Sequence, residues 1–129
     1  MLLIKERWEQ IREKMKIITS LTSQPKQRFT LKLDDNTIAI MELYYYASQK
    51  SWYFDIEYNE YQNKGNKVVL TLNAIRHLRN KLPFGIAFIS SSMADAFMID
   101  DFLNGSVLML LLNKEEVQEL EDSVYAPQL

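Results

Sequence analysis

Residues 29–58 read Phe29-Thr30-Leu31-Lys32-Leu33-Asp34-Asp35-Asn36-Thr37-Ile38-Ala39-Ile40-Met41-Glu42-Leu43-Tyr44-Tyr45-Tyr46-Ala47-Ser48-Gln49-Lys50-Ser51-Trp52-Tyr53-Phe54-Asp55-Ile56-Glu57-Tyr58. Phe29, Leu31 and Leu33 alternate with polar residues until Asp34-Asp35-Asn36 breaks the run. A second run, Ile38 to Tyr46, ends at Ser48-Gln49-Lys50-Ser51, and a third fills Trp52 to Tyr58. Two-residue periodicity in aromatic and β-branched sequence, punctuated by short polar turns, predicts an antiparallel meander with strands near 27–34, 37–47 and 51–58.

Outward from this core, Asn59 to Asn66 reads as a polar loop, Lys67 to Leu72 as a fourth strand and Gly85 to Ser90 as a fifth. Asn73 to Lys81 reads as a short helix or an extended excursion, with Pro83 discouraging helix through Leu82. Ile99 to Leu103 makes a helical turn stopped by Asn104-Gly105. The nearly unbroken apolar run Ser106 to Leu112 predicts a strand buried on both faces. Asn113 caps a last helix, Glu116 is its capping-box partner, Val117 and Leu120 form its apolar side, and it ends near Asp122.

At the other end, Ile4, Trp8, Ile11, Met15 and Ile18 recur at spacings of four, three, four and three. That pattern predicts an amphipathic helix over 3–18, packed on its own or a neighbouring subunit. Two heptads are marginal for an independent coiled coil. Met15 offers an alternative start, since the body of the domain needs nothing before Lys16. The expected organisation is one domain, 1–129, with a helical extension over 1–18, a β-rich body over 27–112 and a helix over 113–122. The fold class is mainly β: a compact antiparallel sandwich or open barrel of about six strands with amphipathic helices at both ends, α+β by count.

The composition, 47% hydrophobic and 25% charged, is that of a globular chain, and 129 residues bury somewhat under ~70% of the unfolded surface. Without cysteine there is neither a disulfide framework nor a thiolate metal site. No apolar run is long enough to span a bilayer, and the charges at Lys5, Glu6 and Arg7 come too early for a secretory signal. The net charge of −2 divides unevenly. Residues 1–94 hold fourteen Lys/Arg against nine Asp/Glu, net +5, and residues 95–129 hold one against eight, net −7. Opposite ends of this kind suit ordered docking, or simply give an acidic solvated tail. Overall acidity disfavours nucleic acid despite the basic spot Arg76 to Lys81.

Catalytic groups are scarce. His77 is the one histidine, so neither a zinc site nor a Ser-His pair can be assembled around it. Adjacent Asp100 and Asp101 diverge. Asp55 and Glu57, with Tyr53, share the outward side of their strand if Trp52, Phe54, Ile56 and Tyr58 point inward. Ser90 to Ser92 has no base, and no phosphate loop is present. The reading is therefore no enzyme, no cofactor and no metal. Tyr44, Tyr45, Tyr46, Trp52, Tyr53, Tyr58 and Tyr61 are too many for one side of one sheet to bury, so some belong to a contact surface or a sugar-stacking groove, and others to cross-strand pairs. The expected partner interface is Trp8, Ile11, Tyr44, Tyr46, Tyr53, Tyr61, Val117 and Leu120.

The order of short motifs carries a resemblance. Gln27 to Phe29 enters the first strand, Ile38 to Tyr46 follows, and Trp52 to Ile56 makes the third. Pro83-Phe84-Gly85 then turns, and Asp100-Asp101-Phe102 precedes the last strand. Over roughly residues 15–112 this pattern, with the opening Lys16 to Leu31, resembles the small baseplate plug proteins of contractile-tailed phages. The segments before Met15 and after Asn113 fall outside it, and the 59–66 stretch lacks the usual compact Asp-Gly turn. The resemblance implies a non-catalytic structural subunit of a virion tail baseplate, made in the bacterial cytoplasm. Its implied neighbours are hub, spike and tube-initiator proteins, met in several symmetry-related copies. A carbohydrate- or ligand-binding module is the alternative.

Overall fold

A computed structural model describes residues 15–90, 92, 94–96 and 98–125. Among the described residues, two antiparallel sheets and one α-helix make up the mainly β architecture, and neither sheet closes into a barrel. The first sheet has the order β2-β3-β4-β5: Lys26–Lys32, Ile38–Tyr46, Ser51–Tyr58 and Tyr61–Lys67. The second has the order β1-β7-β6, in which β1 is Lys16–Ile17, β6 is Gly85–Ser90 and β7 is Val107–Leu112. Helix α1, Lys114–Ser123, follows β7 directly.

The expected meander forms with each strand boundary within one or two residues of its predicted place. Thr30 faces Ile40, and Leu43 faces Phe54, so alternate residues share a face. Leu31, Met41, Leu43, Trp52, Phe54 and Ile56 turn inward and are almost wholly buried. They meet Ile86, Phe88, Val107, Met109 and Leu111 from the second sheet in one core. Phe54 lies 5.7 Å from Phe88, and Trp52 5.4 Å from Phe102, in tilted and edge-on packings that suit aromatic quadrupoles. Trp52 also donates its indole N–H to the Met98 carbonyl at 3.0 Å, which satisfies the one polar atom of a fully buried ring.

The turns explain why the meander closes where it does. Between β2 and β3, Asp35 accepts from the Thr37 backbone N–H at 3.0 Å and from its hydroxyl, and Asn36 takes φ 68°. Asn tolerates this left-handed conformation better than most residues. The same Thr37 hydrogen bonds hold the Asp35 carboxyl below the usual carboxylate range.

Three expectations are corrected. The polar loop over 59–66 is instead the β4–β5 hairpin, turned by Asn59 at φ 54° and Glu60. Its Gly, Asn and Lys content reflects an edge strand with a register shift opposite Phe54 and Ile56, near Gly65 at φ 77°. The strand expected over 67–72 does not form as one piece. Lys67 ends β5, Val68 still donates to Trp52, and Thr71 has already crossed to bridge Phe88 in the other sheet. Third, Lys16 and Ile17, expected at the end of a helix, pair with Leu111 and Leu110. The free edge of β7 takes their backbone groups, and propensity yields to that pairing. Ile18 continues this pairing by donating its N–H to the Met109 carbonyl at 2.9 Å, and residues 3–14 of the expected helix lie outside the described residues.

β7 is buried on both sides, as its apolar run implies. Leu110 and Leu112 face away from the sandwich core into a second cluster with Met15, Ala87 and Leu120, flanked by Val117 and Val124. α1 reaches this face because Asn113 turns the chain back at once. The Asn113 side chain accepts from Glu116 N–H, and Glu116 accepts from Asn113 N–H, both at 2.8 Å.

The approach is close. A Cβ on Gly85 would lie 2.9 Å from Val117 Cγ2 and 3.0 Å from Asn73 Cγ. Asn73 cannot retreat freely, since its Oδ1 accepts from Ile75 and Ile86 N–H at 3.2 Å each. Gly85→Ala is therefore expected to destabilise by about 1–3 kcal/mol through overpacking. Chemical denaturation should show a lower midpoint with an unchanged slope, whereas Gly105→Ala would act through its φ of 80° alone, with open space around it.

Candidate contact face and family

Parity places Tyr44, Tyr46 and Tyr53 on the outer side of the four-stranded sheet, opposite the buried Leu43, Trp52 and Phe54. Tyr44 and Tyr53 are directly opposed across β3 and β4, with rings 6.0 Å apart and 19° from parallel. Tyr46 closes the group at 5.5 Å from Tyr44 and 5.3 Å from Tyr53, and is 49% exposed. The cluster keeps its shape through its polar tips: the Tyr44 hydroxyl donates to Asp55 at 2.8 Å, and the Tyr53 hydroxyl donates to Gln49.

A charged belt lies beside the rings. Glu42 and Asp55 face each other across β3 and β4, a repulsive juxtaposition in isolation. Lys26 and Arg28 reach Glu42 at 3.3 and 3.4 Å, and Arg28 extends to Glu57 at 3.5 Å. Asp55 takes hydrogen bonds from Tyr44 and from the Gly65 N–H, the latter at 2.8 Å. Each exposed ion pair contributes only about 0–1 kcal/mol. Their effect is to fix a pattern of signs on a flat surface. At the far end of β3, Ile40 and the 54% exposed Ile38 make an apolar margin.

The remaining aromatics divide cleanly. Tyr45 and Tyr58 turn inward against the core, and Trp52 is fully buried. Tyr61, expected at a partner interface, also packs against the core, and the Lys81 ammonium sits 5.5 Å from its ring. Leu120 is fully buried against the subunit's own second sheet, and Val117 packs beside it. An amphipathic helix following a strand that is apolar on both sides covers that strand, so these two side chains face inward. Trp8 and Ile11 lie outside the described residues.

His77 is exposed on a single 3-10 turn, Arg76–Leu78. Asp55 and Glu57 point away from the core that holds Leu78, so the three are not brought together. Among the described residues, no group of three or more His, Cys, Asp or Glu could hold a metal ion. Among them, too, no helix is long and apolar enough to cross a membrane.

Residues 15–114 match the family described as the cyanophage baseplate Pam3 plug gp18. The chain belongs to this baseplate plug family. The match runs from the residue before β1 to the first residue of α1, so the plug family's pattern is the two-sheet body itself. It agrees with the resemblance carried by Gln27 to Phe29, Trp52 to Ile56 and Pro83 to Gly85. A baseplate plug is a structural subunit. No curated protein matches the chain.

The tyrosine cluster supplies a spectroscopic test. Burial pushes the Tyr44 hydroxyl up to about 12, and the hydrogen bond to Asp55 and its charge add to this. The folded state thus holds the proton more tightly than the unfolded chain. The resulting stability is fully present below the ordinary tyrosine value near 10 and is lost as pH rises towards 12. Ultraviolet titration of phenolate absorbance should show a late-ionising component that Tyr44→Phe removes and Asp55→Asn brings forward.

Proposed function

We propose that this chain is a non-catalytic structural subunit of a phage tail baseplate, set against hub, spike and tube-initiator proteins through the outer face of its four-stranded sheet. One observation carries the reading: a chain of the plug family holds three tyrosines as one block on an exposed sheet face. Beside them Lys26, Glu42, Arg28, Glu57 and Asp55 form a fixed charge pattern. Tyrosine offers large contact area with few rotatable bonds, and ordered charges set the register in which a partner docks. Interfaces of this composition concentrate their energy in a few central aromatic side chains. The depression of ≈ 420 Å³ over Arg28, Glu42 and Glu57 is lined mainly by charged side chains, unlike the mostly apolar lining of a small-molecule site.

Two measurements test this. Particles assembled without the protein should show missing or defective baseplates by electron microscopy; normal infectious tails would refute the assignment. Tyr46→Ala removes the most exposed ring and should leave folding stability within about 1 kcal/mol, because the residue lies at the surface. It should nonetheless weaken co-purification with the hub by about tenfold or more, the size of an interfacial aromatic contact. Saturable binding of oligosaccharides by the isolated chain, lost in the same variant while hub binding persists, would instead favour a carbohydrate-binding module.

A further inference from the structure

Three of the seven large apolar side chains exposed among the described residues stand on one turn between β6 and β7: Met98, Ile99 and Leu103, at 47%, 38% and 57%. That turn is held firmly from below. Trp52 donates its indole N–H to the Met98 carbonyl at 3.0 Å, and the Asp101 carboxylate accepts from the Met98 N–H at 2.9 Å. The Phe102 ring is wedged 5.4 Å from Trp52 and 6.0 Å from Phe88. Asn104 and Val107 donate their N–H groups to the Asp100 and Asp101 carbonyls, and Gly105 closes the turn at φ 80°. Asp101 and Phe102 are buried, whereas neither apolar cluster includes Met98, Ile99 or Leu103. The fold therefore presents these three as a rigid apolar knob, and exposed apolar surface gathered in one place marks a contact.

A cleft of ≈ 440 Å³ lies at the opposite end of the β6-β7 ladder, between the chain entering β6 and the first turns of α1. Leu82, Pro83 and Val117 line it together with the exposed Arg79, Lys81 and Lys114. The carboxylate in its wall, Glu121, is already matched by Arg76 at 2.7 Å and Arg79 at 3.3 Å, so the rim is net positive. Gly85 pairs with Leu112 at the cleft end and Ser90 with Val107 at the knob end, which sets the two features about 17 Å apart along the strands.

We infer that the Met98–Leu103 knob of one copy docks into this cleft on a second copy, head to tail. Charge complementarity selects this occupant. From Leu82 to Asn113 the chain has no Lys or Arg but carries Asp95, Asp100 and Asp101. The knob is thus apolar in an acidic setting, and the cleft apolar in a basic one. Opposite signs steer the two together and fix their register, while knob against knob or cleft against cleft is repulsive. Since the two partners are different patches of one molecule, the contact is heterologous and passes from copy to copy. The hydrogen bonds at Met98 and Asp101 order the knob in advance, so docking demands little further loss of loop freedom. Tyr44, Tyr46 and Tyr53 lie on neither patch. The inference therefore stands apart from the hub reading of the tyrosine-bearing face.

The chain has no cysteine, so an engineered pair reports this contact without background. One sample of the full chain carries Leu103→Cys and a second carries Gln118→Cys in the cleft wall. Both positions are exposed, so the denaturation midpoint of each variant should match that of the unmodified chain. The two are mixed at about 1 mM, where contacts of millimolar Kd are populated, and oxidised. Mixed disulfide dimers should exceed either self-pair by about tenfold, as read by intact mass. Lys81→Glu with Lys114→Glu in the second chain should return the products to the random-collision ratio, and adding Asp100→Lys to the first should restore the excess. Products at the random-collision ratio from the starting pair would overturn the inference. An excess that ignores the first charge change, or that the second does not restore, would overturn it as well.

Discussion

The burial of β7 on both sides is the constraint on which the rest of this molecule depends. Val107, Met109 and Leu111 close the core between the sheets, while Leu108, Leu110 and Leu112 face the second cluster. A central strand apolar on both faces demands cover on both. The meander supplies one cover through Leu43, Trp52 and Phe54, and α1 supplies part of the other through Leu120. The capping box at Asn113 follows from this demand, since the chain must reverse immediately after Leu112 to lay Leu120 on its own strand. The close packing at Gly85 has the same origin: Val117 descends onto β6 until there is no room for a methyl group.

While β7 turns most of both its sides inward, the outer side of the four-stranded sheet stays open among the described residues. Its edges are poor templates for further strand pairing. β2 carries Lys26, Arg28 and Lys32, and β5 is interrupted at Gly65. Charged and bulged edges are the usual protection against uncontrolled sheet extension. The outer face of this sheet carries Tyr44, Tyr46 and Tyr53 beside the Glu42 and Asp55 belt, the surface proposed above for docking.

Much of this was legible in the sequence where a single period governed a whole segment. Alternation from Phe29 to Tyr58 set three strands and the outward parity of Tyr53, Asp55 and Glu57, and the unbroken run to Leu112 announced a strand buried twice. Legibility failed where tertiary pairing overrode local composition. Tyr61 to Lys67 is rich in Asn, Gln, Lys and Gly and reads as loop, yet β4 recruits it as an edge strand. Lys16 and Ile17 continue a helical seam, yet the edge of β7 claims them. Thr71 sits in a β-rich run that is split between two sheets, which no local pattern records. The outward placement of Tyr44, Tyr46 and Tyr53 was readable from parity. The inward packing of Tyr61, Val117 and Leu120 was not, because a half-apolar side chain suits an exposed surface and a core edge equally well until the packing partner is known.

The account turns on which side of this subunit meets its neighbours, and oxidative footprinting of assembled tails against the free chain measures it directly. Modification of Tyr46 and Tyr53 should fall several-fold on assembly, while exposed His77, away from that face, should be modified equally in both states. Tyrosines labelled to the same extent in the particle and in free solution would contradict the account.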